Sequence, residues 1–258
     1  MKVDILLRTH DRSDVHPIKA GRYCSTSKLE VIKRCFASII KSCNQVYNHE
    51  LNIKILDDHS TNSLLDYFNE SFNKSIHPIQ MINLDVYGNN DSYLYQLELA
   101  KNSDADIVYL IEDDYLHFES AIFEMIEEYI NFSNLTKQDI AIYPYDDPLN
   151  YTDKFLDESR IVLGSKRHWR TNKYSTGSFM VKPAIIRRHF DIYYKFCKLY
   201  MTPFGDALNI HEGTTINKIW RENVYLFTPI PSLALHMQYE DQKDKFIDWK
   251  ELWNKSIL

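Results

Sequence analysis

An apolar run of five residues that ends in three consecutive carboxylates constrains this chain more than any other feature. The run is Ile107-Val108-Tyr109-Leu110-Ile111, and Glu112-Asp113-Asp114 follows it directly. Such a run predicts a strand that is buried on both faces. Adjacent carboxylates repel one another, so their placement at a strand end costs stability unless a cation or hydrogen-bond donors neutralise them. A solvated acidic turn is the ordinary alternative, but the buried strand before it favours a binding site.

The alternation of side chains along a strand predicts how these carboxylates are divided. Glu112 and Asp114 are expected to point to one face of the sheet and Asp113 to the other. One face could then hold a hard divalent metal ion. Asp113 could accept a hydrogen bond from a different group, such as a ribose hydroxyl.

The composition is compatible with an ordinary globular enzyme. A chain of 258 residues with 44% hydrophobic content makes one large domain or two small ones. The four cysteines lack CxxC spacing, which predicts a reduced, cytoplasmic protein. A formal net charge of −6 argues against general binding to nucleic acid. No signal peptide and no transmembrane segment are expected, because no apolar run reaches the length of a membrane span.

Strands and helices alternate through the first half of the chain. Strands are predicted at 3–8, 53–56, 78–84 and 107–111. Ser27 and Glu30 form a capping box that predicts a helix after the first strand. Further helices are predicted after Ser60 or Thr61, at 93–101 and from about Glu119. This rhythm predicts an open, mainly parallel sheet.

Polar residues stand at three of the predicted strand ends, namely Thr9-His10, Asp57-Asp58 and Glu112-Asp113-Asp114. Ligands of such sheets bind beyond the carboxyl ends of the strands. The chain has neither GxGxxG after its first strand nor a P-loop motif, and its six glycines cannot build a Gly-rich phosphate cradle. The phosphates of a nucleotide would therefore need a metal ion and side chains.

Three segments resemble the donor-site segments of GT-A-type glycosyltransferases, in particular those of family 2. They are residues 4–12, Ile55-Leu56-Asp57-Asp58-His59-Ser60 and Leu110-Ile111-Glu112-Asp113-Asp114. In that family the second segment ends in a Val-Asp-Asp-Gly-Ser-like turn. The third ends in the DxD motif, of which Glu-Asp-Asp is a known variant in some N-acetylglucosaminyltransferases. The resemblance covers about residues 2–130 clearly and extends more loosely to about 240. Two departures are His59, where glycine is common, and an extra first-loop stretch at 13–25.

The resemblance implies an α/β fold of the GT-A type, with an open, mostly parallel central sheet flanked by helices. It implies one domain over residues 1–258. A Rossmann-like half that binds a nucleotide sugar (about 1–130) would precede a half that binds the acceptor (about 131–258).

The resemblance also assigns roles at the donor site. Asp114 would ligate Mn²⁺ or Mg²⁺ at the donor diphosphate, and His236 matches a late metal-ligating histidine of the family. A lone histidine at the end of an apolar strand is otherwise a core residue. Asp113, with Glu112, would face the ribose. Asp58 or its neighbour Asp57 would accept a hydrogen bond from the base, and the residues that would flank it are Thr9, His10 and Arg12.

The second half would hold the acceptor side. Gly177 and Ser178 lie in a segment that resembles the family's small-residue segment beside the sugar, although Gly177 could equally form a simple turn. Glu212 stands where many inverting members carry the acid that deprotonates the acceptor hydroxyl, with Asp206 as the alternative. A helix dipole alone also favours an acid at that place.

Two further clusters are open to more than one interpretation. Tyr145-Asp146-Asp147 again puts acids after an apolar run and would suit an acceptor sugar, because polyols bind both carboxylates and aromatic faces. The basic segment 166–170 fits a loop that closes over a diphosphate, or simply a solvated loop.

The resulting hypothesis is a metal-dependent, inverting hexosyl- or N-acetylhexosaminyltransferase. It would move a sugar from a nucleotide-sugar donor, UDP being the commonest nucleotide in the family, to a glycan, lipid-linked or protein-linked sugar acceptor. A sugar-nucleotide nucleotidylyltransferase is the alternative enzyme, disfavoured because its Gly-rich first loop is absent. A non-catalytic protein that binds nucleotides or carbohydrates is the other alternative, and the three intact acids argue against it.

Overall fold

The structure of the protein, a computed structural model, describes residues 1–12, 26–152, 158–175, 177–238 and 247–258. The extra first-loop stretch at 13–25 lies outside the described residues. In the described part of the chain, no helix is both long enough and apolar enough to cross a membrane.

Eleven strands run through these described ranges. They are β1 (Lys2–Thr9), β2 (Glu50–Asp57), β3 (Ile79–Asn83), β4 (Ile107–Glu112), β5 (Tyr115–His117), β6 (Ile140–Ile142), β7 (Ile161–Leu163), β8 (His168–Asn172), β9 (Phe179–Val181), β10 (Tyr225–Ile230) and β11 (Ala234–His236). Nine of them form one sheet in the order β3-β2-β1-β4-β9-β6-β10-β8-β7, and β11 pairs with β5 in a second, two-stranded sheet. Only β8 and β9 run against the other seven, so the large sheet is mixed but mostly parallel, as predicted.

Helices flank the large sheet in two groups. The helices of the described residues are α1 (Lys28–Cys43), α2 (Asn62–Ser71), α3 (Asn89–Asn102), α4 (Ala121–Thr136), α5 (Pro183–Arg188), α6 (Phe190–Leu199), α7 (Pro203–Ala207), α8 (Ile216–Glu222) and α9 (Trp249–Lys255). α1 contacts α2 and α4, whereas α3 contacts α5 and α6. The predicted start of α1 is confirmed, because the Ser27 hydroxyl accepts a hydrogen bond from the Glu30 backbone N–H at 3.2 Å.

The core contains the apolar run at 107–111. All five residues from Ile107 to Ile111 are completely buried in β4, which lies between β1 and β9. The prediction of a strand buried on both faces is confirmed. β4 ends at Glu112, however, and Asp113 and Asp114 form a turn before β5. Strand alternation therefore does not govern the directions of Asp113 and Asp114.

The basic segment 166–170 differs from both of its interpretations. Lys166 and Arg167 lie just before β8, the remaining three residues form the start of that strand, and Trp169 is completely buried. Arg167 pairs with Glu124 of α4, and Arg170 pairs with Asp146 at 2.5 Å. Neither interpretation anticipated that these arginines are held by carboxylates inside the fold, although Lys166 and His168 of the same segment are exposed.

The burial of His117 should make the free energy of unfolding depend on pH. Its Nδ1 donates to the Tyr115 carbonyl at 2.9 Å, its Nε2 accepts from the Tyr109 hydroxyl at 2.7 Å, and the ring is 1% exposed. Burial lowers the pKa of His117 to about 4. Between that value and its ordinary pKa of about 6.5 the unfolded chain binds the extra proton, so stability falls as the pH falls.

We expect the wild type to lose about 2 kcal/mol more stability than His117→Gln between pH 7 and pH 5. Urea unfolding at both pH values measures the difference. Equal losses in the two proteins would show that His117 does not carry this dependence.

Candidate functional site

The ends of the parallel strands meet at one edge of the large sheet. Thr9 at the end of β1 is in register with Asp57 at the end of β2. Arg8 is in register with Glu112 at the end of β4. The polar residues predicted at three strand ends therefore lie side by side, as expected for a mostly parallel sheet.

Glu112 is held by a cation from the neighbouring strand. Its Oε1 accepts from an Arg8 guanidinium nitrogen at 2.8 Å, and its backbone N–H donates to the Ser178 hydroxyl at 3.0 Å. Another Arg8 nitrogen donates to Asn89 Oδ1 at 2.5 Å, at the start of α3. Burial raises the pKa of Glu112, and the positive charge of Arg8 opposes that shift. Sequence reasoning overlooked Arg8, although a charged residue just before the end of an apolar strand was an available signal.

Asp113 turns toward the first loop. Its Oδ2 accepts from the backbone N–H of His10 at 2.8 Å, and the Lys28 ammonium lies 3.9 Å from the same oxygen. The His10 ring donates from Nδ1 to the Asp58 carbonyl at 3.0 Å. Asp113 thus ties the end of β4 to the loop after β1 and, through His10, to the end of β2. Arg12, the last residue described before the gap at 13–25, is exposed.

Asp114 faces His236. The Nε2 of His236 lies 3.3 Å from Asp114 Oδ2, and the Met237 backbone N–H donates to the Asp114 carbonyl at 2.8 Å. The imidazole stacks on Tyr115, with ring centroids 4.7 Å apart. Burial alone would lower the pKa of His236, but the charge of Asp114, the hydrogen bond to it and nearby carboxylates raise it overall. The structure therefore brings together the two side chains that the resemblance assigned to a metal ion. Among the described residues, no group of three or more potential ligands surrounds a single metal position.

The end of β2 forms a second polar corner. Asp58 accepts from the Gly88 backbone N–H through Oδ2 at 2.8 Å, and its Oδ1 lies 3.2 Å from His59 Nδ1. Asp57 accepts from the Ser60 backbone N–H through Oδ2 at 3.2 Å. Its other oxygen, Oδ1, is buried and has no hydrogen-bond partner among the described residues, and the same holds for the Thr9 hydroxyl. A buried oxygen without a hydrogen-bond partner lowers the stability of the fold, because it has given up its hydrogen bonds to water.

His59 occupies a backbone conformation that explains why glycine is common at this position in the family that the chain resembles. Its φ is +59°, in the left-handed region that side chains other than glycine seldom adopt. Its ring stacks on Tyr87 with centroids 3.7 Å apart, and Tyr87 is 66% exposed. The stacked pair borders the polar corner of Asp57 and Asp58.

Gly177 makes room for the carboxylate of Glu112. A Cβ atom added at Gly177 would lie 2.1 Å from Glu112 Oε2, which no real contact allows. The sequence left open whether Gly177 admits a ligand or only forms a turn. What it admits in this structure is the Glu112 side chain, while completely buried Ser178 holds the Glu112 backbone.

The two candidate bases, Glu212 and Asp206, both lie on the stretch of chain between α6 and α8. Glu212 begins a 3₁₀ turn (Glu212–Thr214) ahead of α8, and the side chain of His211 caps that turn. Burial and the charge of Glu212 raise the pKa of Tyr200. The Tyr200 carbonyl accepts from Asn90 at 3.0 Å, next to the asparagine that binds Arg8. Asp206 is exposed in the short helix α7.

Comparison with solved structures identifies the fold. Residues 1–349 of TarS from S. aureus superpose with a TM-score of 0.53 at 14% identity, covering 88% of this chain and 60% of that one. The same TarS fragment in complex with UDP-GlcNAc gives a TM-score of 0.51 at 13% identity, covering 98% of this chain and 64% of that one. GalNAc-T7 with UDP, GalNAc and Mn²⁺ gives 0.55 at 13% identity, covering 92% and 43%. The chain thus spans less than two thirds of the TarS fragment and of GalNAc-T7.

These matches and the sheet order show a GT-A-type fold, so the predicted fold class is confirmed. No protein-family model matches the chain, and no curated protein matches its sequence.

The contact between Gly177 and Glu112 yields a prediction about stability. We expect Gly177→Ala to destabilise the protein by about 1–3 kcal/mol, because the new methyl group must displace the carboxylate from Arg8. Glu112→Ala provides the space, so adding Gly177→Ala to that variant should have much less effect. Urea unfolding of the four proteins measures the coupling. If Gly177→Ala has the same effect in both backgrounds, the requirement for glycine has another origin.

Proposed function

We propose that this protein is a metal-dependent glycosyltransferase that moves a sugar from a nucleotide-sugar donor to an acceptor hydroxyl, with residues 1–258 acting as one catalytic domain. The observation that carries the proposal is the facing pair of Asp114 and His236 at the carboxyl edge of the sheet, 3.3 Å apart. The fold supports it, since ligands of open α/β sheets bind at that edge. Support for the donor class comes from structural neighbours solved with UDP-GlcNAc or with UDP and Mn²⁺.

Asp114 and His236 fit a divalent cation. A carboxylate oxygen and an imidazole nitrogen are both ligands of first-row transition metals, and the imidazole favours Mn²⁺ over Mg²⁺, which prefers oxygen alone. With only this pair as protein ligands, positions stay open for the oxygens of a diphosphate. When bound, the ion would supply positive charge against the charge that develops on the leaving nucleoside diphosphate.

The polar corner at the end of β2 suits the nucleoside. Asp57 Oδ1 and the Thr9 hydroxyl are buried oxygens that lack partners among the described residues, and a base N–H would satisfy one of them. Asp58 shapes the same corner by holding the turn at Gly88. We assign the nucleobase to this corner. Asp57 is preferred over Asp58 as its hydrogen-bond acceptor, because both Asp58 oxygens already have polar neighbours. Asp113 and Glu112 lie between this corner and Asp114, where the ribose and the donor sugar would lie.

Glu212 is proposed as the base that takes the proton from the acceptor hydroxyl, with Asp206 as the alternative. Glu212 is partly buried, whereas Asp206 is exposed to solvent. A base that is partly shielded from water holds its orientation toward an acceptor better than one on an exposed turn. Direct displacement with a protein base would invert the configuration at the anomeric carbon.

Removal of the proposed metal ligand tests the donor site. With UDP and Mn²⁺ at a hundredfold excess over their dissociation constants, we expect the wild type to gain about 2.7 kcal/mol in stability. Asp114→Asn should lose most of this gain, because the neutral amide is a poor ligand for the ion. Thermal unfolding with UDP, with Mn²⁺ and with both measures the effect.

The matched control is Asp66→Asn, which makes the same change on the exposed side of α2. It should keep the full gain. A gain that survives in Asp114→Asn would remove Asp114 from the site. The absence of any gain in the wild type with UDP, and equally with GDP, ADP and CDP in its place, would contradict the proposed function.

If Glu212 is the general base, its replacement should lower the rate of sugar transfer without weakening the binding of the nucleotide. Glu212→Gln should lower the turnover of sugar transfer, measured as UDP released from a UDP-sugar in the presence of a sugar acceptor, by about 10²–10⁴-fold, the usual contribution of a general base. Its binding of UDP and Mn²⁺ should stay unchanged, because the base acts on the acceptor. Asp206→Asn should turn over normally.

The opposite pattern, with only Asp206→Asn impaired, would transfer the role to Asp206. If neither variant is impaired while Asp114→Asn is inactive, the mechanism does not use a protein base and retention of configuration becomes the better hypothesis.

A further inference from the structure

The segment after β6, residues 143–147, lies at the same edge of the sheet as the proposed donor site. β6 runs parallel to β1 and β4, because both β4 and β6 are antiparallel to β9 between them. Its carboxyl end therefore opens beside that of β4, about 10 Å away at ordinary strand spacing. A sugar acceptor that meets the donor sugar at the end of β4 would lie against this neighbouring segment.

Direct contacts join this segment to the residues around His236. The Pro144 carbonyl accepts from the backbone N–H groups of Leu233 and Ala234, at 2.9 and 3.1 Å. The ring centroids of Tyr145 and His236 are 6.3 Å apart. The segment is therefore fixed relative to the Asp114–His236 pair.

A buried ion pair lies at the far end of the segment. Asp146 and Arg170 of β8 are 2.5 Å apart, and they are 4% and 6% exposed. The Asp146 backbone N–H also donates to the Ser232 hydroxyl at 2.9 Å. Buried ion pairs contribute little net stability compared with apolar side chains of the same size. The pair is therefore better explained by what it positions.

The ion pair positions Tyr151. Asp147 and Pro148 begin a 3₁₀ turn (Pro148–Tyr151), with Asp147 accepting from the Leu149 backbone N–H, and the turn brings Tyr151 back over Asp146. The Tyr151 hydroxyl donates to Asp146 at 2.5 Å, and the Arg170 guanidinium lies 4.5 Å from the centre of its ring. Even so, Tyr151 is 63% exposed.

Tyr151 thus combines a fixed orientation with an exposed aromatic surface. A tyrosine side chain on a surface turn ordinarily rotates freely. The Tyr151 ring is instead held at its hydroxyl by Asp146 and on one face by Arg170. Fixing a side chain in advance removes the entropy cost of ordering it when a ligand binds. The C–H groups on one side of a pyranose ring form an apolar surface that packs on such an aromatic face.

We propose that Tyr151 is a stacking platform for a pyranose ring of the acceptor, and that Asp146 and Arg170 are positioning residues that hold it. The inference rests on the proposed function for its choice of ligand, and it narrows the acceptor to a glycan or glycoconjugate with a sugar at the reacting end. Acceptors that present only a peptide or lipid hydroxyl would not use the platform.

Saturation-transfer NMR with methyl pyranosides of glucose, galactose, mannose and N-acetylglucosamine tests the platform, with and without UDP and Mg²⁺. We expect at least one glycoside to receive saturation at ring protons of a single face. Tyr151→Ala should weaken its binding about fivefold to tenfold, the size expected for loss of one aromatic stacking contact. Tyr151→Phe keeps the ring but loses the hydroxyl that Asp146 holds, so its affinity should lie between those of the wild type and Tyr151→Ala. Tyr47→Ala is the matched control, since it removes a tyrosine that is 78% exposed and lies ahead of β2, at the opposite edge.

Two outcomes would overturn the platform. One is binding that is unchanged in Tyr151→Ala, and the other is the absence of saturation transfer to any of the four glycosides in the wild type. UDP signals in the same spectra keep this result separate from the proposed function. UDP bound without any glycoside contradicts the platform alone. Glycoside binding lost in Tyr151→Ala, with no UDP binding either here or in the thermal unfolding with Mn²⁺, contradicts the donor site alone.

Discussion

The structure depends on how the three consecutive carboxylates at the end of β4 are neutralised. Each of them is directed to a different element, Glu112 to Arg8 of β1, Asp113 to the first loop, and Asp114 to His236 of β11. Left together, the charges would repel one another at the end of a completely buried strand. Distributed in this way, they connect the carboxyl edge of the sheet to its first loop and to the small second sheet.

The three carboxylates therefore have different surroundings at the carboxyl edge of the sheet. Arg8 compensates the charge of Glu112, and Gly177 leaves the space in which that carboxylate lies. The charge of Asp114 is met by a histidine that can be neutral, and we propose that this corner accepts a cation together with a diphosphate. The corner at the end of β2, which we propose for the nucleoside, and the segment after β6, which we propose for the acceptor, lie on either side of it along the same edge.

Much of this arrangement could be predicted from the sequence, because it follows from local signals. The apolar run at 107–111 predicts a buried, central strand. The polar residues at three strand ends are predicted to lie together, because the carboxyl ends of parallel strands meet at one edge of the sheet. The partner of Glu112 could not be predicted from a local pattern, since Arg8 lies 104 residues away and meets Glu112 only through the sheet order. His236 lies 122 residues from Asp114, and the two were placed together only through the family resemblance. Strand alternation failed at Asp113 because a turn begins there. The segment 166–170 was misinterpreted because its arginines find buried carboxylates that no local pattern reveals.

The most direct test of the central claim is a crystal structure with UDP and Mn²⁺, with anomalous diffraction recorded at the manganese edge. The account predicts one strong anomalous peak in contact with an Asp114 carboxylate oxygen, His236 Nε2 and the diphosphate, with the uracil in the corner formed by Thr9 and Asp57. Nucleotide density at this edge with no manganese beside Asp114, or a manganese peak elsewhere in the fold, would contradict it.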